Sequence, residues 1–569
     1  MRAYRRVRND LFRERFYGTM RDLAHARNVD WYSEPGGPWL RKPQLFREAD
    51  QIAFLSVNDM PQGEFWPATS PSLPGRQHVR GAVATAHLYG LPIASAEAFT
   101  HMMRHWSMDP AYLKRSVDTA FVCGINHLVW HTFTCSPEEF GVPGAEFFCG
   151  THVNRNVTWF PQLGSFITYL ARCQWMLRQG KPVLDYAVYA GDRPYQHWGI
   201  YNERPYDTSK ARLPRGYSYD IVNDDAILNR FRIEDGKMVL PDGLSYGSLV
   251  WDPEFRDEPL SPAVLARVEE FRKAGLKVFQ SADAARVAEL SKPDYEGPFL
   301  AVHRRSKDAD IYFVQGDGSG VMTFRESSAG RCVEVWDAVS GRRYAADATP
   351  RADGRTDVSL DLPTAGSAFV LFRKPSGPVA PARRPSVAIK KMDGPWRATF
   401  AYPRGISAPP PAPVTFDALV DWTSRDDLKH FSGSASYRSV VHLSVAEAKR
   451  AEEIFVGRVP SGLAQVFVNG HDCGVAWCEP WTVLAAGAFK EGENEVVIRV
   501  VNNWNNRIVG DCALPAGQRV TRSTVRYWNK SRTNSVPGNI WTYVPTLYSG
   551  CALSDPLQPS GLLGPVEIR

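Results

Sequence analysis

The sequence predicts a multidomain chain in which α/β structure is followed by β structure. We expect part of a (β/α) barrel over residues 1–181 and a small doubly wound α/β domain over 182–296. A β-sandwich over 297–374, a linker at 375–386 and a jelly roll over 387–569 complete the expectation. Three observations predict it: helical and strand periods alternate four times before Gly180, short alternating strands run from Gly297 to Arg373, and Pro375 to Pro385 is a Pro-rich basic break before the final all-β part.

The four units are read in order. Phe12, Phe16, Met20 and Leu23 mark one face of a helix ending near Asn28, followed by a strand from Val29 to Ser33 that closes on Glu34-Pro35-Gly36-Gly37. A second strand is expected over Ile52 to Val57, opening into a loop with Asp59, Glu64 and Trp66. The third unit is the most regular. Val79, Val83, Ala86 and Tyr89 recur at helical spacing, Gly90 stops the helix where a left-handed residue is wanted, and a small-residue strand then reaches Glu97. In the fourth, Leu113, Val117 and Phe121 form a helix that ends at Gly124, and a strand from Ile125 to Thr134 carries Trp130 and His131. A helix with Phe166, Tyr169, Leu170, Cys173 and Leu177 follows and stops at Gly180. A full eight-fold barrel needs about 250 residues, so these units are expected to be its C-terminal half.

Beyond Gly180, strands are expected at Leu184–Tyr189, Ser245–Trp251 and Leu276–Phe279. Ser261-Pro262 starts the intervening helix and Gly275 ends it. The stretches 309–314 and 368–372 alternate as short strands, Asn469-Gly470 is a hairpin turn, and Glu495 onward alternates as a half-buried strand.

Composition narrows the function. Hydrophobic content of 44% and charged content of 22% belong to an ordinary globular chain, and the net charge of +6 is scattered, which argues against a nucleic-acid partner. The 17 Trp and 22 Tyr supply flat amphipathic faces that suit sugar rings and cores alike. Nine Cys show neither CxxC nor zinc spacing and are expected mostly to pack. The N-terminus lacks a signal-peptide pattern, and no 18-residue apolar stretch predicts a membrane span.

Glu64 and Glu97, one unit apart, would share a barrel rim, where the loops hold the chemistry. Glycoside hydrolysis needs such a pair, one carboxylic acid to protonate the leaving oxygen and one carboxylate as nucleophile or activator of water. Trp66, Trp130 and His131 would supply the floor and hydrogen bonds for a sugar ring. Most Glu residues are merely solvated, and a His in a helix or strand more often packs than ligates, which is the reading for His87 and His152.

The run from Ala84 to Thr100 (ATAHLYGLPIASAEAFT) resembles a block of glycoside hydrolase family 106, the α-L-rhamnosidases. Asp59–Trp66, His131–Thr134, Gly150–Trp159 and Asn503–Asp511 look like further blocks of that family in the same order. The resemblance implies an inverting enzyme that releases L-rhamnose from polysaccharides or glycosides, exported to the periplasm or medium and assisted by Ca2+. It implies catalytic roles for Glu97 and Glu64, substrate contacts for His131, Trp66, Trp130, Asn154 and Glu34, and a metal ligand in Asp59, with a galactose-binding-like jelly roll behind. The family's barrel begins further upstream with another acid in a motif absent here, so the isolated chain is expected to be weakly active or inactive. Arg507 and Asp511 are expected to be a structural pair. Two rival readings are a carbohydrate-binding protein without turnover and a relative of family 2 β-galactosidases; the Glu97 and Asn503–Asp511 blocks argue against the second.

Overall fold

The computed structural model describes residues 2–33, 50–67, 76–101, 105–147, 151–189, 191, 215–251, 261–279, 291–375, 377, 379–382, 386–528, 541–546 and 554–569. Its first sheet holds β1 (Gln62–Trp66), β2 (Arg76–His78), β3 (Ser95–Ala98) and β4 (His127–Trp130) in the order β2-β1-β3-β4. β1, β3 and β4 run parallel and β2 is antiparallel. No closed barrel forms among the described residues.

Helices return the chain between these strands. Helix α1 (Gln51–Leu55) precedes the sheet, α2 (Arg80–Tyr89) leads into β3, α3 (Pro110–Val122) leads into β4, and α4 (Leu163–Leu177) follows. Gly90 ends α2 at φ 68°, and Asp109 caps α3 by accepting the Tyr112 N–H at 3.0 Å ahead of Pro110. The strand expected at Ile52–Val57 is α1 instead. Asp50 accepts the Ala53 N–H and starts a helix that buries Ile52, Phe54 and Leu55, a short apolar run whose length cannot separate helix from strand. Glu64 consequently lies within strand β1, not in a loop after a strand. Residues 29–33 form no strand either, and the Phe12–Phe16–Met20–Leu23 face is solvent-exposed along a helical stretch over residues 2–25.

A second parallel sheet places Lys277–Phe279, Ser248–Val250, Tyr186–Tyr189 and Tyr219–Val222 side by side, flanked by helix Pro262–Lys273. The segment after it differs from the short-strand expectation. Ala309–Phe324 and Thr356–Arg373 are long strands, shifted in register between Gly316 and Gly318, in one eight-stranded sheet. Gly316 lies where a Cβ would meet the Phe299 ring at 2.1 Å, so glycine permits the close approach. Further on, a four-stranded and a six-stranded antiparallel sheet share one core built from Trp396, Tyr437, Ile454, Val466, Ile498 and Val566. Asn469 and Gly470 turn between two of those strands with positive φ, as expected.

One apolar core joins these parts. Phe65, Phe121 and Phe166 around the first sheet pack in the same cluster as Phe313 and Phe369 of the long sheet and Trp477 and Trp504 of the C-terminal region. The C-terminal chain also adds strand Arg522–Trp528 in parallel to Pro143–Glu146, just after β4. The described cysteines are free thiols, and Cys123, Cys173 and Cys478 are buried. No helix among the described residues is long and apolar enough to cross a membrane.

Candidate active site

The small residues Ser95, Ala96 and Ala98 let β3 run through the middle of the parallel sheet without crowding its neighbours. The register then aligns Glu64 of β1 with Glu97 of β3, and Ala98 with Trp130 of β4. Residues in register on parallel strands about 4.8 Å apart point to the same face, so the two glutamates stand abreast. Phe65, one residue on, points the opposite way into the core and packs edge-on against Phe99 at 5.2 Å.

The two carboxylates have different surroundings. Glu64 is 2% exposed and accepts the Trp66 indole N–H at Oε1. Glu97 is half-buried, accepts the Thr100 hydroxyl at Oε1, and has His131 Nδ1 3.6 Å from that oxygen. Burial lowers the His131 pKa by more than the Glu97 charge raises it, so the imidazole is held toward its neutral form. Its ring packs edge-on against Phe147 at 5.9 Å.

The remaining expected residues divide. Trp130 is half-buried, with its ring on Phe99 at 4.6 Å and edge-on to Phe166 at 5.9 Å, while its N–H donates to Thr151 Oγ1 at 2.6 Å. Most of its face therefore belongs to the core. Asn154 is fully buried and ties its own loop, donating to the Thr134 carbonyl at 2.9 Å and accepting the Asn156 N–H at 2.9 Å. Glu34 lies outside the described residues. Asp59 faces His25 Nε2 at 3.0 and 2.9 Å and accepts the Trp31 N–H at 2.6 Å. Burial would raise its pKa, but these hydrogen bonds and the His25 charge bring it below the usual range.

A calcium ion needs six to eight oxygen ligands. Among the described residues Asp59, Glu64 and Glu97 do not converge to within 4.8 Å, and the trio that does, His303, Asp310 and Glu326, is spanned by Arg305 and Arg331. Those three acids therefore form no shared ligand cluster among the described residues.

Sequence reasoning missed a cluster of imidazoles on the same rim. His152 Nε2 meets His105 Nδ1 at 2.6 Å, the rings stack at 4.7 Å, and His152 Nδ1 meets the Thr134 hydroxyl at 3.2 Å. His101 is also buried, and burial holds the His152 pKa well below its usual value. Burial drives the His105 pKa down to about 4, and burial together with His105 does the same for His101. The position of His101 and His105 just past the Glu97 strand was the available signal. The loops are fastened from the far end of the chain: Trp504 donates its indole N–H to the Asn156 carbonyl at 2.8 Å and its backbone N–H to Trp106 at 3.1 Å, and Asn503 donates to the Ser107 carbonyl at 2.7 Å. Arg507 pairs with buried Asp511 at 2.9 Å, as expected of a structural pair.

Comparison with known proteins adds the following. The glycoside hydrolase family 106 model, described as alpha-L-rhamnosidase, matches residues 1–288. The solved rhamnosidase from Novosphingobium sp. PP1Y superposes with a TM-score of 0.81 at 26% identity, over 99% of this chain and 56% of that one. A Formosa agariphila protein, whose name carries a provisional beta-glucuronidase assignment, is 28% identical over 422 residues, 66% of this chain and 34% of its own length. The chain thus spans about a third of the one relative and just over half of the other.

Proposed function

The chain belongs to glycoside hydrolase family 106, the alpha-L-rhamnosidases, and from that premise we propose that it takes part in inverting hydrolysis of α-L-rhamnosides in polysaccharides or glycosides, with Glu97 as the base that activates water. The observation that carries the glycosidase reading is the register pairing of Glu64 and Glu97, while inversion rests on the family alone. Of the two, Glu97 is the more open, and the Thr100 hydroxyl fixes one of its oxygens, which leaves the other to accept a proton from water. Glu64, enclosed and held by Trp66, is the second carboxylate of the rim and the candidate for supplying the leaving oxygen with a proton. His131 beside Glu97 is neutral and can hydrogen-bond a sugar hydroxyl, with Trp66 as a flat wall.

The same proposal reads the parallel sheet as part of a (β/α) barrel rim and the two C-terminal sheets as an accessory jelly roll, and places the protein in the periplasm or medium. No step is routed through calcium, because Asp59 is engaged by His25 and Trp31.

Hydrolysis of p-nitrophenyl α-L-rhamnopyranoside tests the reading, with p-nitrophenyl β-D-glucuronide as the comparison substrate that the Formosa name suggests. NMR of the first-formed sugar anomer reports inversion. Release of nitrophenol from the glucuronide and not from the rhamnoside would sink the assignment. Binding of rhamnosides without turnover would favour a carbohydrate-binding role.

A further inference from the structure

We infer that His101 contacts the substrate, its imidazole hydrogen-bonding a ring hydroxyl of the sugar unit held beside Glu97; this rests on the glycosidase reading above. The chain leaves β3 through Phe99, which has φ 67° and is anchored in the core, and Thr100 turns back to bond Glu97. His101 comes next. It is 3% exposed, and its Nδ1 is buried with no hydrogen-bond partner. A buried polar atom left without a partner is costly, so an orphan three residues beyond a candidate catalytic strand points to a group that arrives with a ligand.

The neighbours define the ligand's chemistry. Both nitrogens of His152 are engaged, and His105 Nδ1 is engaged by His152. His131 faces Glu97. His101 is the residue after Thr100, whose hydroxyl bonds the Glu97 carboxylate, and this chain link sets it beside that carboxylate. Buried and neutral, an imidazole offers one donor and one acceptor. A hydroxyl, itself donor and acceptor, complements that set, whereas a carboxylate would enter an enclosed place beside Glu97 with no cation among these neutral rings. The four imidazoles do not bring three nitrogens within 4.8 Å of one another, so they do not form a metal cage.

The test is isothermal titration of methyl α-L-rhamnoside and its 2-, 3- and 4-deoxy analogues in a Glu97→Gln parent, alone and with His101→Leu or His101→Asn. One deoxy analogue should bind the parent about tenfold more weakly, the size of one net hydrogen bond of about 1.4 kcal/mol. In His101→Leu that difference should vanish, because the partner is gone. In His101→Asn, which keeps a polar group near the Nδ1 position, it should return in part. A His101→Leu protein that discriminates the analogues as its parent does overturns the inference while leaving the glycosidase reading intact. A parent that binds none of the rhamnosides, with a wild-type protein that hydrolyses none, overturns the reading and the inference together. Near-ultraviolet circular dichroism of each variant excludes misfolding, and because the readout is selectivity within one protein, a structural loss alone does not imitate it.

Discussion

Glu64 and Glu97 are register partners on adjacent parallel strands, each with one oxygen claimed by a different donor, Trp66 for the first and Thr100 for the second. A side-by-side pair with unequal surroundings is a physical basis for dividing labour between two carboxylates. Glu97→Gln keeps the Thr100 contact and the shape but removes the proton acceptor. Turnover should fall by about two to four orders of magnitude, the usual contribution of a positioned base, while the affinity for methyl α-L-rhamnoside changes little. Steady-state kinetics with titration of the inactive variant measures both, and unchanged kcat would remove Glu97 from the chemistry.

Glu64→Gln separates the roles further. If Glu64 protonates the leaving oxygen, the loss should be large with alkyl rhamnosides and small with a dinitrophenyl rhamnoside, whose leaving group needs no proton. An equal loss on both substrates would assign Glu64 to positioning alone.

How much of this was legible in the sequence follows from where each signal lives. Gly90, Gly124 and the Asn469-Gly470 turn are local instructions, and the elements they bound formed where expected. Ile52–Val57 is short and wholly apolar, so periodicity alone could not separate helix from strand, and the Asp50 cap decided for helix. The pairing of Glu64 with Glu97 needed only the repeat of the units. The fastening of the imidazole cluster was out of reach, because Trp504 and Asn156 lie 348 residues apart in the chain and no local pattern joins them.

That fastening has a measurable consequence. Trp504 is almost fully buried and bonds the loops containing Trp106 and Asn156, which flank His105 and His152. Trp504→Ala should destabilise by about 3–5 kcal/mol, as large-to-small changes of a buried Trp do, visible as a lower urea midpoint. In the protein that remains folded, KM for the rhamnoside should rise, since the loops around the imidazoles lose their anchor. Trp504→Phe should recover much of the stability through packing but leave the Asn156 carbonyl without its donor, and therefore recover less of the KM.

Lys114 provides a second test away from the rim. Its ammonium is buried against Asp118 at 2.6 Å, the Ala365 carbonyl at 2.8 Å and Ser367 Oγ at 2.8 Å, joining α3 to the long strand Thr356–Arg373. Tyr169 of α4 donates to the same Asp118. Asp118→Ala leaves a buried cation without its countercharge and should cost about 3–5 kcal/mol. Replacing both partners, Lys114→Met with Asp118→Leu, should cost less than that single change, which a double-mutant cycle by urea unfolding measures.

The long sheet should also make stability depend on pH through His303. Its imidazole is fully buried between Asp294, 3.0 Å from Nδ1, and Asp310, 2.9 Å from Nε2, with Tyr312 stacked on it at 3.9 Å. Arg305 and Arg331 pair with Asp310 and also with Glu326, and Arg325 bonds Asp185 and lies near enough to Asp294 to act on its charge. Burial alone would lower the His303 pKa, but the charge and hydrogen bond of Asp294, followed by those of Asp310, raise it above 6.5. A raised pKa in the fold means stabilisation that is complete below the unfolded value of 6.5 and is lost as pH climbs through the folded one. Asp294 works in the opposite direction: burial raises its pKa, His303 more than offsets this, and its contribution is present above 3.8 and lost as pH falls through the lowered folded value. Unfolding free energy from this region should therefore be greatest between pH 3.8 and 6.5 and decline as pH rises through the raised His303 pKa. His303→Gln, which cannot carry the charge, should flatten the decline above pH 6.5 in urea titrations while lowering stability at pH 5. A decline of the same slope in His303→Gln would show that another group carries it.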